Sequence, residues 1–154
     1  MIGETIGRFE LRSRLGEGVF GEVWLAGHKE TSDAVAIKLL HPRISSLPEI
    51  AKFVNDARAI GRISNTNVGK VFDVGVRQDG RVYVVSEFIV GETLAQRIAR
   101  GRFSQTQVAD VIAQIARALI AAQGVGVAHH NLKPSNVLLV PDDSRASNER
   151  VIVL

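Results

Sequence analysis

The run Leu15-Gly16-Glu17-Gly18-Val19-Phe20-Gly21-Glu22-Val23-Trp24 decides how the rest of the chain is interpreted. Its G-x-G-x-x-G spacing occurs in two unrelated nucleotide sites. In one, the glycines open a helix whose N-terminus holds a pyrophosphate; in the other, they form a hairpin turn that lies over phosphates. Residues 9–15 alternate apolar and polar side chains, residues 22–26 form a second β run, and no helical period follows. The stretch therefore predicts strand, glycine turn and strand, with an ordinary glycine-rich hairpin as the plainer alternative.

A second run, Ala34-Val35-Ala36-Ile37-Lys38-Leu39-Leu40, is an apolar strand with one lysine inside it. Burying that charge is costly unless it is paired, and a phosphate under the glycine turn would supply the partner. The glycine turn together with Val-Ala-Ile-Lys resembles the eukaryotic-like, bacterial-type Ser/Thr protein kinases, over nearly the whole chain. The resemblance implies an α+β protein-kinase-like fold, with a five-stranded antiparallel N-lobe sheet, one helix and a partial, mainly helical C-lobe. The N-lobe would span residues 1–88, and the hinge and partial C-lobe residues 89–154.

Composition limits the function classes. The chain has 154 residues, 45% of them hydrophobic, and no cysteine, which favours a globular domain without disulfides or thiolate metal sites. No signal peptide and no 18-residue apolar stretch are visible, so we expect a cytoplasmic location and no membrane span. The net charge of +3 comes from scattered basic residues, which argues against nucleic acid as a partner.

The remaining pattern predicts alternating elements. Residues 9–40 give three strands, 47–63 a helix, and 68–76 and 81–88 two strands joined at an Asp-Gly turn. Capping-box patterns at 93–96 and 104–107 open two further helices. The second helix has an apolar stripe and ends near Gly124 and Gly126; the stripe comprises Val108, Val111, Ile112, Ile115, Leu119 and Ile120. In the kinases that the chain resembles, later helices cover this stripe, so we expect it to be an exposed apolar patch in these 154 residues. A polar hairpin loop at 141–148 precedes a last strand at 150–154.

The resemblance implies ATP as the ligand and places its contacts residue by residue. The glycines would cover the phosphates, Lys38 would bind them, and Val23 and Ala36 would sandwich the adenine above Leu138. The main chain of Glu87 and Ile89 would hydrogen-bond the adenine. The full set is Gly16, Gly18, Gly21, Val23, Ala36, Lys38, Asp56, Glu87, Ile89 and Leu138.

Asp56 stands where the family has a glutamate that pairs with the strand lysine. Aspartate is one methylene shorter, so a pair with Lys38 needs a longer contact or a closer helix. The alternative is that Asp56 is a solvated surface acid. Plain core packing is likewise the alternative for Val23 and Ala36.

A third run, Val127-Ala128-His129-His130-Asn131-Leu132-Lys133-Pro134-Ser135-Asn136, resembles the kinase catalytic loop His-Arg-Asp-Leu-Lys-Pro-x-Asn. Asn131 replaces the catalytic aspartate, and an amide cannot accept the proton of a substrate hydroxyl near neutral pH. Lys133 would reach the γ-phosphate and Asn136 would bind Mg²⁺. A metal site at the two histidines is the alternative, but no further ligand stands at a suitable spacing.

The 154 residues contain no Asp-Phe-Gly, the family's main Mg²⁺-binding motif, so Asn136 is the one Mg²⁺ ligand that the resemblance identifies. Three interpretations follow. The first is a kinase-like ATP-binding domain with impaired catalysis. The second is a truncated piece of an active Ser/Thr kinase that transfers the ATP γ-phosphate to protein Ser or Thr. The third is an interaction module or decayed fragment that binds no nucleotide. The sequence identifies no protein substrate or partner.

Overall fold

The computed structural model describes residues 1–18, 20–42, 47–101, 103–130, 132–145 and 147–154. These residues form two compact units. The first contains Met1–Gly61 and Lys70–Phe88, and the second contains Arg62–Gly69 and Ile89–Leu154. The segment Arg62–Gly69 thus groups with the second unit, and the division into lobes at residue 88 stays a prediction. The reason is local: Val153 N donates to Asn67 O at 2.8 Å, and Gly69 N donates to Val153 O at 2.9 Å.

The first unit is built on an antiparallel sheet in the order β1-β2-β3-β4-β6-β5. All five predicted strands are present, and a sixth of only two residues pairs with the first of them. Such a strand is too short to show a period in the sequence. The strands are β1 Thr5–Ile6, β2 Phe9–Gly18, β3 Gly21–His28, β4 Ala34–Leu40, β5 Val71–Val76 and β6 Val82–Glu87.

Alternation along β4 explains how the sheet is anchored. Val35, Ile37 and Leu39 are buried in a core with residues of β1, β2, β3 and β6, while Ala36 and Lys38 lie on the other face. The turn between β5 and β6 uses Gly80 with a φ of +81°, a conformation that favours glycine. The predicted Asp-Gly turn is confirmed at this position.

Helix α1, Leu47–Ile60, ends three residues earlier than the predicted 47–63. Gly61 follows it, and Gly61 N donates to Ala57 O at 3.0 Å. Its apolar side chains Ile50, Phe53, Val54 and Ala57 pack against Val74, Val82 and Val84 of β5 and β6. The helix is therefore held on the sheet by its apolar face.

The second unit has two helices, a short 3₁₀ helix and a small antiparallel sheet in the order β7-β8-β9. The helices are α2 Leu94–Arg100 and α3 Gln105–Gly124, and both predicted capping boxes are formed, with Thr93 and Ser104 as the N-cap residues. The strands are β7 Glu92–Thr93, β8 Val137–Pro141 and β9 Glu149–Val153. None of the helices in the described ranges is long and apolar enough to span a membrane.

The predicted apolar stripe of α3 is exposed in part, while Val111 of the stripe is buried. Val111, Gln114 and Ala118 face inward, and Val111 and Ala118 pack with Val137, Leu139, Val151 and Val153. Val108, Ile112 and Ile120, which the stripe included, are 42, 61 and 68% exposed. The polar Gln114 is fully buried on the inward face, where its Oε1 accepts a hydrogen bond from Val151 N of β9.

Candidate functional site

The glycine turn joins β2 to β3 in the first unit, as predicted. Glu17 pairs with Glu22 and Gly18 with Gly21, while Val19 lies outside the described residues. A Cβ atom added at Gly16 or Gly18 would have no atom of the other described residues within 4 Å, apart from its chain neighbours, so a ligand can approach the main chain closely. A Cβ atom at Gly21 would instead lie 2.2 Å from Leu39 O. Gly21 is therefore required by the packing of β3 against β4.

Lys38 lies in the middle of β4, directly opposite Val23 of β3. Side chains that face each other across antiparallel strands share one side of the sheet, and Ala36, two residues before Lys38, lies on the same side. The Lys38 ammonium is 5.9 Å from the centre of the Phe20 ring, within the range of a cation–π contact. The structure thus brings Val23, Ala36 and Lys38 together on one face and directs the lysine toward the turn.

Asp56 lies on α1, half-buried, and its Oδ2 accepts a hydrogen bond of 2.5 Å from Lys52 Nζ, one helical turn earlier. This i,i+4 contact is typical of a helix surface. The pairing of Asp56 with Lys38 stays a prediction.

The predicted adenine contacts at the end of β6 are Glu87 and Ile89. Glu87 N donates to Lys70 O at 3.0 Å, and Lys70 N donates to Glu87 Oε1 at 2.8 Å. Because the N–H of Glu87 already donates to Lys70 O, the predicted hydrogen bond from Glu87 to adenine would have to use the Glu87 carbonyl. Ile89 follows outside any strand and belongs to the second unit.

The second unit carries the remaining predicted residues, of which Asn131 lies outside the described residues. Lys133 is exposed and precedes a 3₁₀ helix, Pro134–Asn136, in which Asn136 N donates to Lys133 O at 2.9 Å. Leu154 N donates to Asn136 O at 2.9 Å, and His129 Nε2 lies 3.0 Å from Leu154 O. The residues at 129 and 136 are thus held near the end of β9.

Leu138 is buried in β8 with neighbours Val137 and Leu139 that face the opposite way into the core of the unit. Leu138 therefore lies on the other side of this small sheet. Within the described ranges, no group of three or more His, Asp or Glu side chains could hold a metal ion. The roles of Leu138 and Asn136 toward adenine and Mg²⁺ stay predictions.

Two buried polar residues escaped the sequence analysis. Gln114 Oε1 accepts from Val151 N and from Asn67 Nδ2, each at 2.9 Å, and Asn67 Nδ2 also lies 2.8 Å from Val151 O. Gln114 Nε2 donates to Asp110 Oδ2 at 2.8 Å. The available signal was a glutamine three residues after Val111 and four before Ala118, inside an otherwise apolar helix face.

Asp110 belongs to the same network. Its pKa is lowered from 3.8, first by a hydrogen bond from the Ser147 hydroxyl, against the raising effect of partial burial, and further by Gln114. The carboxylate therefore stays ionised at neutral pH and acts as an acceptor for two donors. The network supports β9, the strand that leads to the His129 contact.

Comparisons with known proteins agree with this geometry. A family model described as protein kinase domain matches residues 9–147. The serine/threonine-protein kinase Pkn1 of Myxococcus xanthus is 33% identical over 153 residues, which are 99% of this chain and 22% of that protein. The serine/threonine-protein kinase PknA of Mycobacterium tuberculosis is 35% identical over 147 residues, covering 91% of this chain and 34% of that protein.

The fold comparison gives the same result. The crystal structure of the Mycobacterium tuberculosis PknI kinase domain aligns with a TM-score of 0.86 at 23% identity, over 99% of this chain and 61% of that chain. At this identity the likeness concerns the fold alone. The chain spans about a fifth to a third of the length of the curated relatives it matches.

Proposed function

Since the chain belongs to the protein kinase family and resembles bacterial Ser/Thr kinases, we propose that it binds ATP through its glycine turn and Lys38 and that its phosphoryl transfer is impaired. The observation that carries the ATP-binding part is the position of Lys38. Its ammonium group lies on the face shared with Val23 and Ala36 and is directed toward the Phe20 ring of the turn.

The residues fit a phosphate chain. An ammonium group and an open glycine turn supply a positive charge and main-chain donors, which are the groups that phosphate oxygens accept. Among the described residues outside their chain neighbours, none has an atom within 4 Å of a Cβ position at Gly16 or Gly18, which supports a close approach of phosphate to the main chain there. When bound, ATP would supply the transferable γ-phosphoryl group. Lys133 would contact that group, and Asn136 would hold a Mg²⁺ ion through its amide oxygen, a hard ligand of the kind Mg²⁺ prefers.

The adenine would lie against apolar side chains. Val23 and Ala36 supply a small apolar surface beside Lys38, and Leu138 would also contact the adenine. The Glu87 carbonyl and the Ile89 main chain would hydrogen-bond the adenine edge. Asp56 would pair with Lys38 after its present ion pair with Lys52 is broken.

The impairment rests on Asn131. In this family the aspartate at this place accepts the proton of the substrate hydroxyl, and a neutral amide has no basic lone pair to do so. Loss of a general base lowers a rate by about 10²- to 10⁴-fold. Asn131 can still orient a hydroxyl, so ATP binding is retained while transfer is slow.

Thermal unfolding with ATP and ATP plus Mg²⁺ tests the binding. ATP at 100 times its Kd should stabilise the folded chain by about 2.7 kcal/mol. Lys38→Ala removes a charge-assisted contact and should weaken ATP binding about tenfold or more. Lys29→Ala, which truncates an exposed lysine in the turn after β3, is the matched control and should bind as the wild type does.

The outcomes separate the interpretations. A wild-type chain that unfolds cooperatively but ignores ATP would contradict the proposal and favour an interaction module. Absence of any cooperative transition would favour a decayed fragment. Equal ATP binding by Lys38→Ala and the wild type would contradict the assignment of the lysine.

Phosphoryl transfer to Ser or Thr is the second candidate, because the curated relatives quoted above are named serine/threonine-protein kinases. Transfer of labelled γ-phosphate to a generic protein substrate measures it, with Asn131→Asp as the comparison. The impairment proposal expects a low wild-type rate that Asn131→Asp raises. A substantial wild-type rate that Lys38→Ala abolishes, with no gain in Asn131→Asp, would establish the second candidate instead.

A further inference from the structure

His41 follows the last residue of β4 and contacts the glycine turn with both its main chain and its side chain. His41 N donates to Phe20 O at 3.0 Å, and His41 Nε2 lies 3.1 Å from Gly18 O. The two carbonyls belong to the residues on either side of position 19. One residue therefore holds the turn at two points.

The chemistry of the side-chain contact is defined by its partner. A carbonyl oxygen can only accept, so the hydrogen of this bond must be on Nε2 of the imidazole. The Glu17 carboxylate lies 3.8 Å from the same nitrogen and is paired with Arg14 at 2.9 Å. Gly18 O, at 3.1 Å, is therefore closer to His41 Nε2 than the Glu17 carboxylate is.

A hydrogen bond to a carbonyl oxygen orients the whole peptide group to which that oxygen belongs. The peptide group is planar, with its N–H pointing opposite to its C=O, so fixing the oxygen also fixes the direction of that N–H. Main-chain N–H groups of such a turn are the donors available to phosphate oxygens. His41 thus acts on the part of the turn that a phosphate chain would meet.

We propose that His41 is the positioning residue of the glycine turn, which it holds by the Gly18 and Phe20 carbonyls in the arrangement that receives the phosphates of a nucleotide. This inference rests on the proposed ATP binding. It adds a residue outside the G-x-G-x-x-G run, and it predicts an effect on phosphate-bearing ligands that adenosine does not share.

Two measurements on the whole chain test the role. Hydrogen exchange without nucleotide should show the amides of residues 16–21 exchanging about three to ten times faster in His41→Ala, the effect of losing one neutral hydrogen bond. ATP affinity should fall by a similar factor while adenosine affinity is unchanged. His41→Gln, which keeps an N–H at the same place along the side chain, should restore both values toward the wild type.

His28→Ala is the matched control. His28 ends β3 at the opposite end from the glycine turn, and its Nδ1 accepts from Glu30 N at 3.2 Å. The substitution removes a comparable bond from a different turn and should leave residues 16–21 and ATP affinity unchanged. If His41→Ala does not fold, His41→Leu keeps most of the side-chain volume and also lacks the N–H.

Unchanged exchange at residues 16–21 in the His41 variant would overturn the proposal. Equal losses of ATP and adenosine affinity would also overturn it, since they would indicate general destabilisation. A wild-type chain that binds no ATP refutes the proposed function and this role together. A wild-type chain that binds ATP no better than His41→Ala refutes the positioning role alone.

Discussion

Replacement of Gln114 by leucine should destabilise the second unit far more than its conservative volume suggests. Gln114 is fully buried in α3, and its Oε1 is the acceptor for the N–H of Val151, which is itself fully buried in β9. β8 pairs with one edge of β9, and Gln114 accepts the hydrogen bond of Val151 N at the other edge. Leucine would fill the space but could not accept this bond.

The size of this loss in stability depends on which hydrogen bonds the partners of Gln114 keep after the substitution. A buried main-chain N–H without an acceptor costs about 1–3 kcal/mol. Asn67, Asp110 and the Glu149 carbonyl each lose one bond but keep another. Asn67 still donates to Val151 O, and the Ser147 hydroxyl still contacts both Asp110 and Glu149 O, so each of these losses is about 0.5–1.5 kcal/mol. We therefore expect Gln114→Leu to lower the free energy of unfolding by about 2.5–7.5 kcal/mol, a large share of a typical domain stability.

Urea unfolding followed by circular dichroism measures this loss. Trp24, the single tryptophan, lies in the first unit and records the unfolding of that unit by fluorescence in the same samples. Gln123→Leu is the matched control, because it makes the same change at an exposed position of the same helix. If the two variants lost the same stability, within about 0.5 kcal/mol, the argument from the Val151 N–H would be refuted.

Two further outcomes follow from single contacts. Gly21→Ala should lower the free energy of unfolding of the first unit, measured in urea, by about 1–3 kcal/mol, because the new Cβ atom would lie 2.2 Å from Leu39 O. The control Gly18→Ala places its Cβ atom within 4 Å of no other described residue except its chain neighbours and should stay within about 1 kcal/mol of the wild type; similar losses in both variants would contradict the packing argument. Ser147→Ala removes the hydrogen bond that lowers the pKa of Asp110 from 3.8. That bond stabilises the fold fully at pH values above 3.8, and its contribution is lost as the pH falls through the lower pKa of the folded state. The stability difference from the wild type should therefore be largest at neutral pH and shrink below about pH 4, and an equal difference at pH 7 and pH 3 would contradict it.

Features with a local cause were predictable from the sequence. Strand alternation located β2, β3 and β4 because successive side chains face opposite sides of a sheet. The capping boxes located the starts of α2 and α3 because both partners stand three residues apart. The two-residue β1 was missed because its stability comes from pairing with β2 rather than from any pattern of its own.

The face of α3 shows where such prediction fails. The whole apolar stripe is expected from the sequence to be exposed. Ile112 and Ile120 are exposed, but Val111 is buried on the face that carries Gln114. The sequence gives no indication that the main chain of Val151, far along the chain, needs a partner from this helix. The burial of Gln114 is decided by that need, so the helix face follows from the tertiary structure.

The candidate site divides in the same way. The glycine run and the lysine strand were recognised because several residue types must occur together at fixed spacing. His41 and Gln114 were missed, and both use a side chain to bind the main chain of another element. A main-chain partner is present at every residue, so such a bond constrains the identity of one residue only and leaves no paired pattern in the sequence. The residues that hold a motif in position are for this reason harder to recognise than the motif itself, and in this chain they emerge only from the distances between Nε2 of His41 and Gly18 O and between Oε1 of Gln114 and Val151 N.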